Sequence, residues 1–80
     1  MKDAEVKLRK LLSDILKIAP DTITDDTSPE TTESWDSFNG LMIAAELEKT
    51  YQVEFTMDEI ITTKNVGDIK KNLRNHHIDI

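Results

Sequence analysis

The stretch Glu33-Ser34-Trp35-Asp36-Ser37-Phe38-Asn39-Gly40-Leu41 marks the point where a polar loop gives way to an apolar helix. Asp36 suits the N-cap of that helix, because its carboxylate can accept backbone N–H groups that the first turn leaves unpaired. Ser37 then falls at the first helical position, at the positive end of the helix dipole. A phosphate on its hydroxyl oxygen is electrostatically favoured there. Ser37 therefore reads as a modification site that the rest of the chain presents.

Downstream, residues 37–51 predict a helix with two apolar stripes. One is Gly40, Ile43, Ala44, Leu47 and Tyr51; the other is Phe38, Leu41, Met42 and Ala45. Asn39, Glu46, Glu48, Lys49 and Thr50 are the polar remainder. A helix apolar most of the way round is buried on several sides or shares a face with a partner. Both readings stand: a central core helix, or a stripe below Ser37 that meets a guest or a partner enzyme. Upstream, residues 19–36 form a long connection rich in Asp, Thr, Ser and Pro. Loops of this length in compact domains are often functional. Ile23 is its expected anchor in the core, and Trp35 is either a second anchor or the edge of a binding surface. Asp21, Asp25 and Asp26 do not make an EF-hand, since Ile23 takes a ligand position and the turn glycine is missing.

Farther out, Leu8, Leu11, Leu12, Ile15 and Leu16 follow the i, i+3, i+4, i+7, i+8 pattern of an amphipathic helix over residues 3–18. Asp3 is its expected N-cap, and Pro20 its expected stop. Lys2, Glu5, Lys7, Arg9, Lys10, Asp14 and Lys17 fill the outer face. Residues 52–55 read as an extended link with Val53 and Phe55 buried. Thr56-x-x-Glu59 is a capping box opening a short third helix. Asn65 caps a last helix over residues 66–75, with Val66, Ile69 and Leu73 inward. Residues 76–80 read as a frayed tail.

These elements define an all-α fold: a four-helix bundle with a long loop between helices 1 and 2 and a short third helix. Its 80 residues make one domain, 1–80, with a modest core and a flexible tail from about residue 76. No run is long enough to cross a membrane, and the charged start does not fit a secretory signal. The expectation is a soluble cytoplasmic monomer. The formal net charge is −6. Residues 21–63 hold eleven acids and one base, Lys49, between two mildly basic ends. Such a surface repels nucleic acid and favours partners with basic patches.

Catalytic constellations are missing. Cysteine is absent, and both histidines, His76 and His77, lie in the expected tail, where they suggest no metal site. Gly40 and Gly67 are isolated, so no phosphate-cradling loop is present. The many carboxylates of residues 21–59 read as solvated. An enzyme is not expected.

The order of these features resembles the acyl carrier protein family over about residues 4–75. The family's Asp-Ser-Leu followed by an apolar helix stands here as Asp36-Ser37-Phe38 followed by Asn39-Gly40-Leu41-Met42-Ile43. Leu47-Glu48-Lys49-Thr50-Tyr51 is similar to the family's Leu-Glu-x-x-Phe. Phe55 before the third helix and Val66-Gly67-Asp68-Ile69 at the start of the last are also family-like. The resemblance implies a 4′-phosphopantetheine arm on Ser37, with Asp36 as the flanking helix cap. A phosphopantetheinyl transferase would add the arm from coenzyme A, and its terminal thiol would hold acyl groups as thioesters. That would also explain the absent cysteine. Glu46, Glu48, Asp58 and Glu59 would meet basic patches on acyl-loading and acyl-transfer enzymes, alongside the apolar Phe38, Leu41 and Met42. Phe38, Asn39 and Met42 depart from the housekeeping pattern, which implies a specialised fatty-acid, polyketide or related pathway. An aminoacyl or peptidyl carrier and an unmodified acidic helical interaction module are the alternatives.

Overall fold

The computed structural model describes residues 3–80. Four α-helices follow one another: α1 (Asp3–Leu16), α2 (Ser37–Tyr51), α3 (Met57–Thr62) and α4 (Val66–Asn75), with a 3-10 turn at Pro20–Thr22. No strand occurs among the described residues. The bundle is the all-helical one that the apolar periodicity specifies.

Leu8, Leu12 and Leu16 of α1 lie one turn apart and are sealed in the core. They meet Ile43 and Leu47 of α2 and Val66, Ile69 and Leu73 of α4. Each buried leucine or isoleucine stabilises the fold by about 1.5–3 kcal/mol relative to exposure. Leu11 and Ile15, expected inside, are only half-buried, because they sit on the shoulder of the α1 stripe. Tyr51 ties the end of α2 to the start of α1 by donating its hydroxyl hydrogen to the Ala4 carbonyl at 2.6 Å. Burial pushes its phenol above the usual range.

Three local expectations need correction. Asp3 lies within the first turn of α1 rather than at its cap. Helix α1 also ends at Leu16, two residues early. Lys17 takes a left-handed φ of 59°, and its N–H donates to the Ser13 carbonyl at 2.9 Å, so the stop is a left-handed cap and Pro20 opens the following turn. Val53 and Phe55 are half-buried, since the link turns at Gln52 (φ 55°) instead of running straight into the core. Lys2, expected on the outer face of α1, lies outside the described residues.

The long loop is a chain of short turns. Thr27, Thr31 and Trp35 each donate a backbone N–H to the carbonyl three residues earlier. Ile23 and Trp35 are both buried. The loop is fastened to α4, where the N–H groups of Val66 and Gly67 donate to the Thr27 and Asp25 carbonyls. Lys70 joins three segments, reaching Glu5 of α1 at 2.9 Å and Asp25 of the loop at 2.7 Å. Asp25 and Glu5 are thus engaged in ion pairs rather than simply solvated.

The reading of residues 76–80 as frayed is overturned. Ile80 is 7% exposed and packs into the core, and Arg74 Nε donates to its carbonyl at 2.7 Å. His77 turns the chain with φ 69°, so that the Ile78 N–H returns to the Leu73 carbonyl. Apolar Ile78 and Ile80 thereby regain contact with the bundle.

Helix α3 contributes no buried residue. It is held by polar clips: the Thr56–Glu59 capping box, the Asn72 amide donating to the Glu59 carbonyl and Thr63 Oγ1, and His76 Nε2 at 3.0 Å from the Glu59 carboxylate. The Thr56 N–H and then His76 hold the Glu59 carboxyl below the usual carboxylate range. A depressed carboxyl contributes stability above its ordinary value of 4.5 and loses it as pH falls through the folded value. Glu5, held down by Lys70, contributes with the same sign. Urea midpoints measured against pH are expected to fall below about pH 4.5, and less steeply in Glu59→Gln, whose amide oxygen still accepts the Thr56 N–H. Parallel acid limbs would mean that Glu59 is not a source of the dependence.

A solvent-facing serine above an apolar cavity

Helix α2 begins as the sequence requires. Asp36 is extended (φ −101°, ψ −174°), its Oδ1 accepts the Asn39 N–H at 2.8 Å, and its carbonyl accepts the Gly40 N–H at 2.8 Å. The Asn39 side-chain amide reaches back to the Ser34 carbonyl at 2.8 Å, which locks the loop to the helix start. Ser37 is the first helical residue and is exposed. Asp36→Ala removes one acceptor from this turn and is expected to cost about 0.5–2 kcal/mol, while Asp36→Asn retains most of the stability. Chemical denaturation of the two variants checks this, and equal losses would exclude the cap as the cause.

A cavity of about 530 Å³ opens beside Ser37 and runs between α2 and α3. Gly40, Ala44 and Leu47 form its α2 wall, and Ile60 and Ile61 its α3 wall. Phe55, Ile69 and Asn72 also line it. Trp35 closes the end nearest Ser37, with Nε1 3.6 Å from where a Cβ on Gly40 would lie. Trp35 is 6% exposed, which bears out its reading as a second anchor of the loop, and it is also a wall of the cavity.

The residues singled out for partner contact are divided among different surfaces. Phe38 (70% exposed) and Leu41 (63%) flank Ser37. Met42 and Glu46 line a second groove on the other side of α2, facing Lys7 and Lys10 of α1. Glu48 is turned inward, its Oε2 accepting the Phe55 N–H at 2.8 Å. Glu59 is committed to Thr56 and His76, which leaves Asp58 as the solvent-facing acid of α3. Sequence reasoning missed Met57 and Ile61, both 67% exposed on α3. In a six-residue helix the spacing of two apolar residues is too short a pattern to assign a face.

A family model described as a phosphopantetheine attachment site matches residues 6–73, from α1 into α4. The chain belongs to the phosphopantetheine-attachment family. This carrier domain is of the kind that receives a covalent 4′-phosphopantetheine group. No curated protein matches it closely enough to count as a relative. The carrier domain fits such a group on structural grounds: a solvent-facing hydroxyl stands at the start of a 15-residue helix, directly above an apolar cavity. Among the described residues no helix of the carrier domain is long and apolar enough to cross a membrane, and no cluster of side chains could hold a metal ion.

Proposed function

We propose that Ser37 is the attachment residue and that this carrier domain conveys acyl groups between the enzymes of a specialised fatty-acid, polyketide or related pathway. The observation that carries the reading is the position of Ser37, exposed at the first turn of α2 and at the mouth of the cavity. Its Oγ would form the new O–P bond as the pyrophosphate linkage of coenzyme A breaks and the nucleotide leaves. The attached arm supplies a thiol that holds the cargo as a thioester. Asp36 keeps the helix start rigid, and the helix dipole favours the phosphodiester next to it.

Partner recognition rests on two kinds of surface. Residues 19–36 carry six acids and no base, which suits enzymes with basic patches and speeds encounter. Phe38 and Leu41 beside Ser37, together with Met57 and Ile61 exposed on α3, offer apolar anchors. The exposed apolar side chains next to Ser37, where a housekeeping carrier would be more acidic, support the specialised pathway. The carrier works as a cytoplasmic monomer that meets a phosphopantetheinyl transferase first and acyl-loading and acyl-transfer enzymes afterwards.

The test is intact mass after incubation with coenzyme A and a broad-specificity phosphopantetheinyl transferase. A gain of one phosphopantetheine is expected. No gain, with a transferase that modifies a control carrier, would overturn the reading.

A further inference from the structure

Trp35 is the only tryptophan of the chain, and its ring is almost wholly buried. A buried indole ordinarily finds an acceptor for its N–H. This one has none: Nε1–H makes no hydrogen bond among the described residues. Among the described residues the one sealed side-chain polar atom without a partner is Ser34 Oγ, so Nε1 is not shut away but remains reachable. Its surroundings say from where. Trp35 lines the cavity beside Ser37, and the nitrogen faces Gly40, which has no side chain to cover it. The cavity thus presents an unspent donor at its Ser37 end, among walls that are mostly apolar.

A donor in such a place selects its acceptor. Beyond the phosphodiester at Ser37, a charged acceptor reaching into the cavity would have to be desolvated against Ile43, Ala44 and Leu47 with no cation among the lining residues, which is unfavourable. A neutral carbonyl oxygen satisfies the indole without that penalty. We propose that the Trp35 N–H donates a hydrogen bond to a carbonyl oxygen of the chain tethered at Ser37, turning that chain into the cavity instead of leaving it in solvent. This rests on Ser37 being the attachment residue. The carbonyl has three sources: the amides of the arm itself, the thioester carbonyl that joins arm and cargo, or a keto oxygen on the cargo. Trp35 is accordingly a positioning residue, whose effect is on where the tethered chain lies.

The single indole gives one indole ¹H–¹⁵N signal, so no assignment is required. It is to be recorded for the unmodified protein, for the phosphopantetheinylated protein, and for forms loaded with octanoyl and 3-oxo-octanoyl groups, each verified by mass. The indole proton is expected to move downfield and to exchange with water several-fold more slowly once the bond forms. A change on phosphopantetheinylation alone identifies the arm amides as the acceptor. A change that first appears in both loaded forms identifies the thioester carbonyl, and one confined to the 3-oxo form identifies the keto oxygen. An indole signal that neither moves nor slows in any fully loaded form overturns the proposal and leaves the Ser37 reading intact. Failure to gain mass overturns the Ser37 reading and this one with it.

Discussion

Alanine at position 37 is expected to abolish the mass gain from coenzyme A completely, while Ser34→Ala leaves it unchanged. The two hydroxyls are three residues apart and differ in what can reach them. Ser37 is exposed at the first turn of α2, whereas Ser34 Oγ is sealed with no hydrogen-bond partner. The loss will not be a folding artefact. The Ser37 hydroxyl makes no hydrogen bond among the described residues, and Asp36 still caps through Asn39 after the substitution. A surface change of this kind shifts stability by about 0.5 kcal/mol or less. The check is intact mass beside a urea midpoint for each variant. A Ser37→Ala protein that folds normally and still gains the full mass would move the attachment to another hydroxyl and remove the reason for reading α2 as the presenting helix.

What the chain announces in advance is local chemistry. Asp36 caps through Asn39, Asn65 through Asp68 and Thr56 through Glu59, each a side chain bonded to a backbone N–H three residues on. Such bonds are legible because both partners lie in one short window. The same holds for Leu8, Leu12 and Leu16, whose spacing assigns a buried face directly, whereas the two stripes of α2 are told apart only by the packing that buries Ile43 and Leu47. The features that escaped are of two kinds. Lys17, Gln52 and His77 turn left-handed although none is glycine, so neither the early end of α1 nor the return of the tail carried a composition signal. Lys70 with Glu5 and Asp25, and His76 with Glu59, join residues far apart in sequence, and no periodicity reports them. The candidate site divides along the same line. Ser37 and its cap were readable, whereas the cavity below them and the free Trp35 N–H exist only once α2, α3 and α4 have packed.

That packing also fixes the second large expected effect. Leu47→Ala should cost about 2–5 kcal/mol, the range for losing a buried leucine together with the void it leaves. Leu47 is 2% exposed, yet it also borders the cavity, so part of its surface already faces space that no side chain fills. Leu12 is 0% exposed and surrounded by core on every side. Its truncation should therefore lie higher in the same range than that of Leu47, since fewer contacts are lost where a wall is already bare. Stability of roughly 0.05–0.15 kcal/mol per residue leaves a chain of this size little to spare, so Leu12→Ala is expected to leave a large unfolded fraction at 37 °C. Denaturant titrations with a common slope separate the two. A cost for Leu47→Ala under about 1 kcal/mol would show that the other stripe of α2 is the one in the core. Equal costs would show that the cavity closes around Leu47 in solution, which would leave the tethered chain no preformed chamber to enter.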